Sequence, residues 1–189
     1  DVLTGFKYIG EKLQHYLDSG EHTFLMGYEE SYGYLFGDYA RDKDACVASM
    51  MIAEAAAYYR SRGMTVYDAL MSVFERYGFS VEKTLNLVMP GLDGAEKMKK
   101  MMQGLRSEPP KDIGGVSVLS VKDYSQGLDG LPKANVLSYA LEDGSTLIVR
   151  PSGTEPKVKV YIMTRGKDET EAKAKEERLE TGFKEKHAN

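Results

Sequence analysis

Thr146-Leu147-Ile148-Val149-Arg150-Pro151-Ser152-Gly153-Thr154-Glu155-Pro156-Lys157-Val158-Lys159-Val160-Tyr161-Ile162-Met163 is two apolar runs joined by a turn rich in Pro, Ser, Gly and Thr. The second run alternates with a period of two, the signature of a strand with one face buried. Both runs are β-branched, which suits a pleated surface. The turn between them carries a chemistry of its own. Arg150 offers a planar fork of donors that matches phosphate oxygens, and Ser152 and Thr154 add hydroxyls. Gly153 leaves backbone N–H groups unobstructed. The same residues also make an ordinary turn, with Arg150 ending a strand.

The period of two extends upstream. Val116 to Lys122 and Ala134 to Leu141 read as two more strands, and Glu142-Asp143-Gly144-Ser145 is a tight hairpin signal before Thr146. Ahead of them Asp93 and Glu96 form a capping pair for a Lys- and Met-rich helix ending near Gly104. Behind them Asp168 and Glu171 cap a charged helix reaching about Lys186. Residues 92–189 therefore read as helix, four antiparallel strands and helix, an α+β unit.

Residues 1–90 read differently. Phe6, Ile9, Leu13 and Tyr16 fall at helical spacing, Gly20 stops that helix, and Thr23 to Met26 reads as a short buried strand. A polar, aromatic and glycine-rich loop follows to about Lys43, and Asp44 can cap the next helix. Ala48, Ile52, Ala55 and Tyr59 mark its expected core stripe. Tyr58 and the Met50-Met51 pair are expected in the core too, and Cys46 is expected as a small buried residue. A further helix has Thr65 and Asp68 at capping distance, with Tyr67, Leu70, Phe74 and Tyr77 inward. Val81 to Met89 reads as extended. This half is α/β but poor in strands. The chain also opens on Asp1 with helical pattern within a few residues, so we expect it to be a segment of a longer protein.

Bulk composition narrows the function classes. At 42% hydrophobic and 29% charged residues the chain is globular, not disordered. A net charge of −4 argues against a general nucleic-acid binder. No apolar run approaches the ~20 residues of a membrane helix. The single Cys46 cannot form an internal disulfide, which fits a reducing compartment, most simply the cytoplasm.

Gly27-Tyr28-Glu29-Glu30-Ser31-Tyr32-Gly33-Tyr34 leaves the expected strand end, where α/β proteins place ligand loops. Its carboxylates accept the hydrogen bonds that vicinal hydroxyls donate, as sugar recognition requires, though a solvated acidic turn has the same composition. Arg41-Asp42-Lys43-Asp44 is a surface charge cluster, or holds a proton donor or phosphate contact. Phosphate-loop, dinucleotide and zinc-protease motifs are missing from the 189 residues. His15, His22 and His187 are scattered, and Asp38, Asp42 and Asp44 lack calcium-loop spacing.

Together, Thr4-Gly5-Phe6-Lys7, Glu29-Glu30-Ser31 with Lys43 after it, and Arg150-Pro151-Ser152-Gly153-Thr154-Glu155-Pro156 resemble the α-D-phosphohexomutases in order and spacing. The fuller Gly27 to Tyr34 string and Ala40-Arg41-Asp42-Lys43-Asp44 are most similar to bacterial phosphoglucomutases of the longer type. The resemblance implies that residues 1–90 are most of a mixed α/β domain 3. Residues 92–189 would be domain 4, with a TATA-binding-protein-like four-stranded antiparallel sheet and helices. It implies reversible transfer of phosphate between the 1- and 6-positions of a hexose through a bisphosphorylated sugar. Glu29 and Ser31 would bind sugar hydroxyls, Thr4 would contact substrate through its loop, and Lys43 would lie near the reacting centre. Arg150, Ser152, Gly153 and Thr154 would hold the phosphate that does not react. Many relatives carry a second arginine where this chain has Lys159, which neutralises phosphate as a point charge without a bidentate fork.

The resemblance also implies Mg²⁺ and glucose 1,6-bisphosphate as requirements of the parent enzyme. This chain has neither a phosphoserine loop of the T-A-S-H-N-P type nor a magnesium loop of the D-G-D-x-D-R type. We therefore expect it to bind no metal and to be inactive alone, working with the N-terminal domains of the same enzyme on a hexose phosphate. The alternatives are a self-standing sugar-phosphate binding module, a scaffold domain, or a phosphopentomutase-type relative. Glucose and mannose preference are not separated by a Glu-x-Ser loop.

Overall fold

A computed structural model describes residues 2–187. The chain divides into two compact units, Asp1–Ser72 and Val73–Asn189. This division by compactness falls upstream of residue 90, where the sequence places a domain boundary. The reason is β3 (Phe79–Val88), which pairs along its whole length with a strand of the second unit.

In the first unit α1 (Phe6–Ser19) buries Phe6, Ile9 and Leu13, and Gly20 ends it in the left-handed region at φ 68°. That apolar spacing packs against Leu35 of a small hairpin, β1 (Met26–Tyr28) and β2 (Tyr34–Phe36). Of the strand expected over 23–26 only Met26 is paired, and β2 falls within the stretch expected to be loop. Next, α2 (Ala45–Arg60) starts at Asp44, whose carboxylate accepts from the N–H groups of Cys46 and Val47. Then α3 (Val66–Tyr77), a helix that carries the division between Ser72 and Val73, starts with the expected reciprocal cap: Asp68 accepts from Thr65, and Thr65 Oγ1 accepts from the Asp68 N–H.

The core expectations for these two helices are overturned. No residue of α2 is buried; Met50, Ile52 and Tyr58 are more than half exposed, and Cys46 is exposed as well. On α3 Tyr67, Leu70 and Tyr77 are exposed and only Ala69 is buried. Ala48, Ala55, Tyr59 and Phe74 are half-buried, Phe74 stacking on the Phe79 ring at 5.3 Å, but these faces are not enclosed among the described residues.

The second unit is built on one antiparallel sheet of six strands, in the order β3-β8-β7-β6-β5-β4. The four expected strands are its centre, as β5 (Val116–Asp123), β6 (Leu137–Leu141), β7 (Thr146–Pro151) and β8 (Lys157–Gly166). Edges are added by β3 and by the two-residue β4 (Asp112–Ile113). Both helices, α4 (Gly94–Ser107) and α5 (Glu169–His187), pack on one face. Met102, Leu105, Leu179 and Phe183 join Val149, Val158, Val160 and Ile162 in a single core cluster. The other face, carrying Arg150, Lys159 and Asn86, is half-buried or exposed.

Cap chemistry differs between the two helices. Asp168 accepts from the Glu171 N–H and Glu171 accepts from the Lys167 N–H, the expected box at the start of α5. Asp93 makes no cap hydrogen bond to α4; it pairs with Lys97 at 2.9 Å, and Glu96 pairs with Lys100 at 2.7 Å. The i,i+4 lysines compete successfully for those carboxylates. No helix among the described residues is long and apolar enough to cross a membrane.

Candidate functional site

In the first unit the sugar-loop candidates sit at the tip of the β1–β2 hairpin. Tyr28 pairs with Tyr34, and their rings stack at 6.4 Å. The Glu29 N–H donates to the Gly33 carbonyl at 2.9 Å and the Tyr32 N–H to the Glu29 carbonyl at 3.2 Å, which closes the tip. Tyr32 takes φ 66°, uncommon for a bulky residue, and exposes most of its ring. Local strain of this kind persists where surrounding structure imposes it.

Gly33 shows what converges here. A Cβ on it would lie 2.8 Å from Lys43 Cδ and 2.9 Å from Glu29 Oε2. The Lys43 stem and the Glu29 carboxylate therefore both crowd the same backbone position, and a side chain there would displace them. The Asp44 N–H donates to the Tyr34 carbonyl at 2.8 Å, holding the Lys43 segment against β2. Lys43 Nζ lies 3.1 Å from Asp42 and 5.5 Å from the Phe6 ring centre. Hydrogen bonds from the Lys43 N–H and then its ammonium hold the Asp42 carboxyl below its usual range. Phe6 follows Thr4-Gly5, so the Thr4 turn belongs to the same end of this unit; Thr4 and Ser31 are exposed. A groove of about 820 Å³ runs from Gly33, Tyr34 and Lys43 along Ala48, Ser49 and Ile52 of α2. Sequence reading missed it because it assigned the α2 stripe to the core.

In the second unit residues 152–156 connect β7 to β8. The Ser152 N–H donates to the Lys157 carbonyl at 2.8 Å, and Ser152 Oγ accepts from the N–H groups of Thr154 and Glu155 at 3.4 and 3.3 Å. The loop is thus shaped by its own serine. A Cβ on Gly153 would meet nothing within 4 Å, and its φ is not in the left-handed region, so the fold does not require glycine there. What glycine leaves is open approach to the backbone. Glu155 is paired with Lys157, whose ammonium lowers the glutamate from its ordinary value.

Arg150 lies directly opposite Lys159 in the β7–β8 register. Both are half-buried, and among the described residues Arg150 has no hydrogen bond or ion pair. Two cations facing each other across a ladder repel. The arrangement is one an anion relieves, and it sits beside the Ser152–Thr154 backbone.

No three His, Cys, Asp or Glu side chains among the described residues gather as a metal site. The described residues thus do not fit a Mg²⁺ site.

Two family models match the chain: "Phosphoglucomutase/phosphomannomutase, alpha/beta/alpha domain III" over residues 1–77, and the C-terminal domain of the same family over residues 92–180. Among curated proteins it is similar to phosphoglucomutases of Staphylococcus epidermidis (35% identical over 173 residues) and Staphylococcus haemolyticus (36% over 173). Each alignment covers 86% of this chain and 31% of the relative. A Staphylococcus aureus phosphoglucomutase is 32% identical over 180 residues, covering 89% and 32%. The fold is similar to that of parafusin, an exocytosis-sensitive phosphoprotein (phosphoglucomutase) of Paramecium in its open form. The TM-score is 0.66 at 20% identity, covering 96% of this chain and 32% of that one. The chain spans about a third of the length of the relatives it matches.

Proposed function

We propose a function from a plain premise: this chain belongs to the phosphoglucomutase/phosphomannomutase family. Its role is to supply the sugar- and phosphate-recognition loops of a mutase that interconverts hexose 1-phosphate and hexose 6-phosphate. Arg150, Ser152, Gly153 and Thr154, with Lys159, hold the phosphate that is not being transferred. Glu29 and Ser31 accept and donate hydrogen bonds to sugar hydroxyls, the Thr4 loop contacts substrate, and Lys43 lies near the reacting centre as a proton-transfer group. The observation that carries this reading is the half-buried Arg150 opposite Lys159, with no carboxylate on the arginine among the described residues. A dianionic phosphate accepts a bidentate arginine and a lysine point charge together.

On this reading the 189 residues do not turn over alone. Phosphoryl transfer needs the phosphoserine and metal charge at the transition state, and neither loop occurs in them. The parent enzyme supplies both from N-terminal domains, requires Mg²⁺ and glucose 1,6-bisphosphate, and works in the cytoplasm. The exposed apolar faces of α2 and α3 favour a covering partner of this kind.

Calorimetry with glucose 6-phosphate tests the recognition role. We expect millimolar binding by the chain and at least a tenfold loss in Arg150→Ala, of the size of charge-assisted hydrogen bonds. Equal binding by the variant, or none by the parent chain at tens of millimolar ligand, overturns it. Conversion of glucose 1-phosphate by this chain with Mg²⁺ and bisphosphate, well above blank, overturns the inactivity.

A further inference from the structure

Edge strand β3 lies in residues 78–91, which neither family model matches. It nevertheless borders the anion site. Asn86 is the register partner of Lys159, and Lys159 is the register partner of Arg150. The three residues form one row across β3, β8 and β7. Leu85 and Leu87 are buried in the core, so alternation puts Asn86 on the opposite, open face, where it is exposed. Neighbouring strands are ~4.8 Å apart, which leaves a span of roughly 10 Å from Arg150 to Asn86 with Lys159 at its centre. A phosphate with hydrogen bonds on two sides is of a size to bridge that span when long side chains reach toward it from both ends.

We propose that Asn86 is a further ligand-binding residue of this site, its side-chain amide donating to the phosphate that Arg150 and Lys159 hold. The proposal rests on the anchor role of Arg150 given above. Its chemistry follows from the row's charges. Sheets ordinarily set opposite charges beside one another. Here Lys159 has a cation on one strand and a neutral amide on the other, and Glu155, the carboxylate that also interacts with Lys159, is paired first with Lys157. A carboxylate at position 86 would neutralise the row and repel a dianion; an amide offers donors without charge. The strand is also fastened to the loop, since the Met89 N–H donates to the Pro156 carbonyl at 2.8 Å.

The test uses ¹H–¹⁵N spectra of the full 189-residue chain titrated with inorganic phosphate and then with glucose 6-phosphate. The Asn86 side-chain amide signals are expected to move with the backbone amides of Ser152 to Thr154. Asn86→Leu is expected to weaken binding roughly tenfold, as for a lost hydrogen bond to a charged group. Asn86→Asp weakens it further, with recovery as the carboxylate is protonated. Thr84→Val, one row away on the same face, leaves affinity unchanged. If Arg150→Ala weakens binding while Asn86→Leu stays within about twofold of the parent, or the Asn86 amide signals stay still at saturation, the role of Asn86 is overturned and the anchor stands. If Arg150→Ala binds normally, or the parent chain binds neither probe, the anchor itself falls and this proposal falls with it.

Discussion

Replacing Gly94 by alanine tests how tightly the start of α4 is tied to the phosphate loop. The first helical residue has no room for a side chain. A Cβ there would lie 2.0 Å from the Met89 carbonyl oxygen and 3.0 Å from Pro156 Cβ, where an ordinary contact begins at 3.4 Å. The carbonyl must retreat by about 1.4 Å, and it is backbone of the segment whose N–H holds Pro156. Overpacking of this kind costs about 1–3 kcal/mol, and losing the Met89–Pro156 hydrogen bond adds about 1 kcal/mol. Alanine's better helix propensity returns at most about 1 kcal/mol. The net expectation, with that return subtracted in full, is a loss of about 1–3 kcal/mol, or roughly 4–12 °C in Tm for a unit of this size.

Gly104, in the same helix, is the control, because a Cβ on it would meet nothing within 4 Å. Gly104→Ala should stabilise by about 0.5–1 kcal/mol. Denaturant-dependent hydrogen exchange at the amides of Val149, Val160 and Ile162 reads the stability of the sheet unit itself. Opposite signs for one substitution at two sites in one helix is the expected result. If Gly94→Ala equals or exceeds the parent chain in stability, the reasoning from the β3–α4 turn is wrong.

Tyr139 is fully buried and donates to the Leu105 carbonyl at 3.2 Å; burial pushes its hydroxyl up to about 12. A raised folded value means its stabilisation is complete below the unfolded value of 10.0 and lost as pH rises toward 12. Tyr139→Phe should therefore cost about 1 kcal/mol at neutral pH, and the gap should close roughly one pH unit above 10; a gap constant through pH 12 in urea unfolding refutes this. Glu180 is held below its ordinary 4.5, by Lys184 first and then by Lys83, which also pairs with buried Glu176 at 3.3 Å. The depressed value means that stabilisation is present above pH 4.5 and lost as pH falls through the folded value. Lys83→Met should lower Tm by roughly 5 °C at pH 7, with the deficit shrinking below pH 4.5; a deficit independent of pH would mean that packing, not charge, is what was lost.

Much of the second unit was legible because its signals are local. The period of two through Val158, Val160 and Ile162 reports a buried face directly, and Gly144 in the Glu142–Ser145 turn sits at φ 80°, as a tight hairpin needs. The two edge strands were not legible. Val81 to Met89 reads as extended, but which sheet takes it depends on ten register pairs with β8 that no local signal contains. The Arg150 loop was visible as a composition, whereas the opposition of Arg150 and Lys159 needed the register. Glu29 and Lys43 are 14 residues apart, and their convergence over Gly33 follows from β2 folding back, a strand hidden inside a glycine-rich stretch.

The failures on α2 and α3 have one physical cause. Hydrophobic periodicity reports which face of a helix is suited to burial, not whether anything covers it. Ile52, Met50, Tyr58 and Leu70 are each about half exposed or more, and fully burying a side chain of this kind is worth about 1.5–3 kcal/mol. Four such residues leave on the order of several kcal/mol unrealised in the first unit. An α/β/α description of this domain requires a sheet between helix layers, and the described residues of the unit contain only the β1–β2 hairpin. The apolar pattern on α2 therefore reports a face suited to burial that the described residues leave uncovered. The same helix lines the groove beside Glu29 and Lys43, so whatever covers it also sets the walls of the sugar loop. The Arg150–Lys159–Asn86 row, by contrast, lies within one sheet.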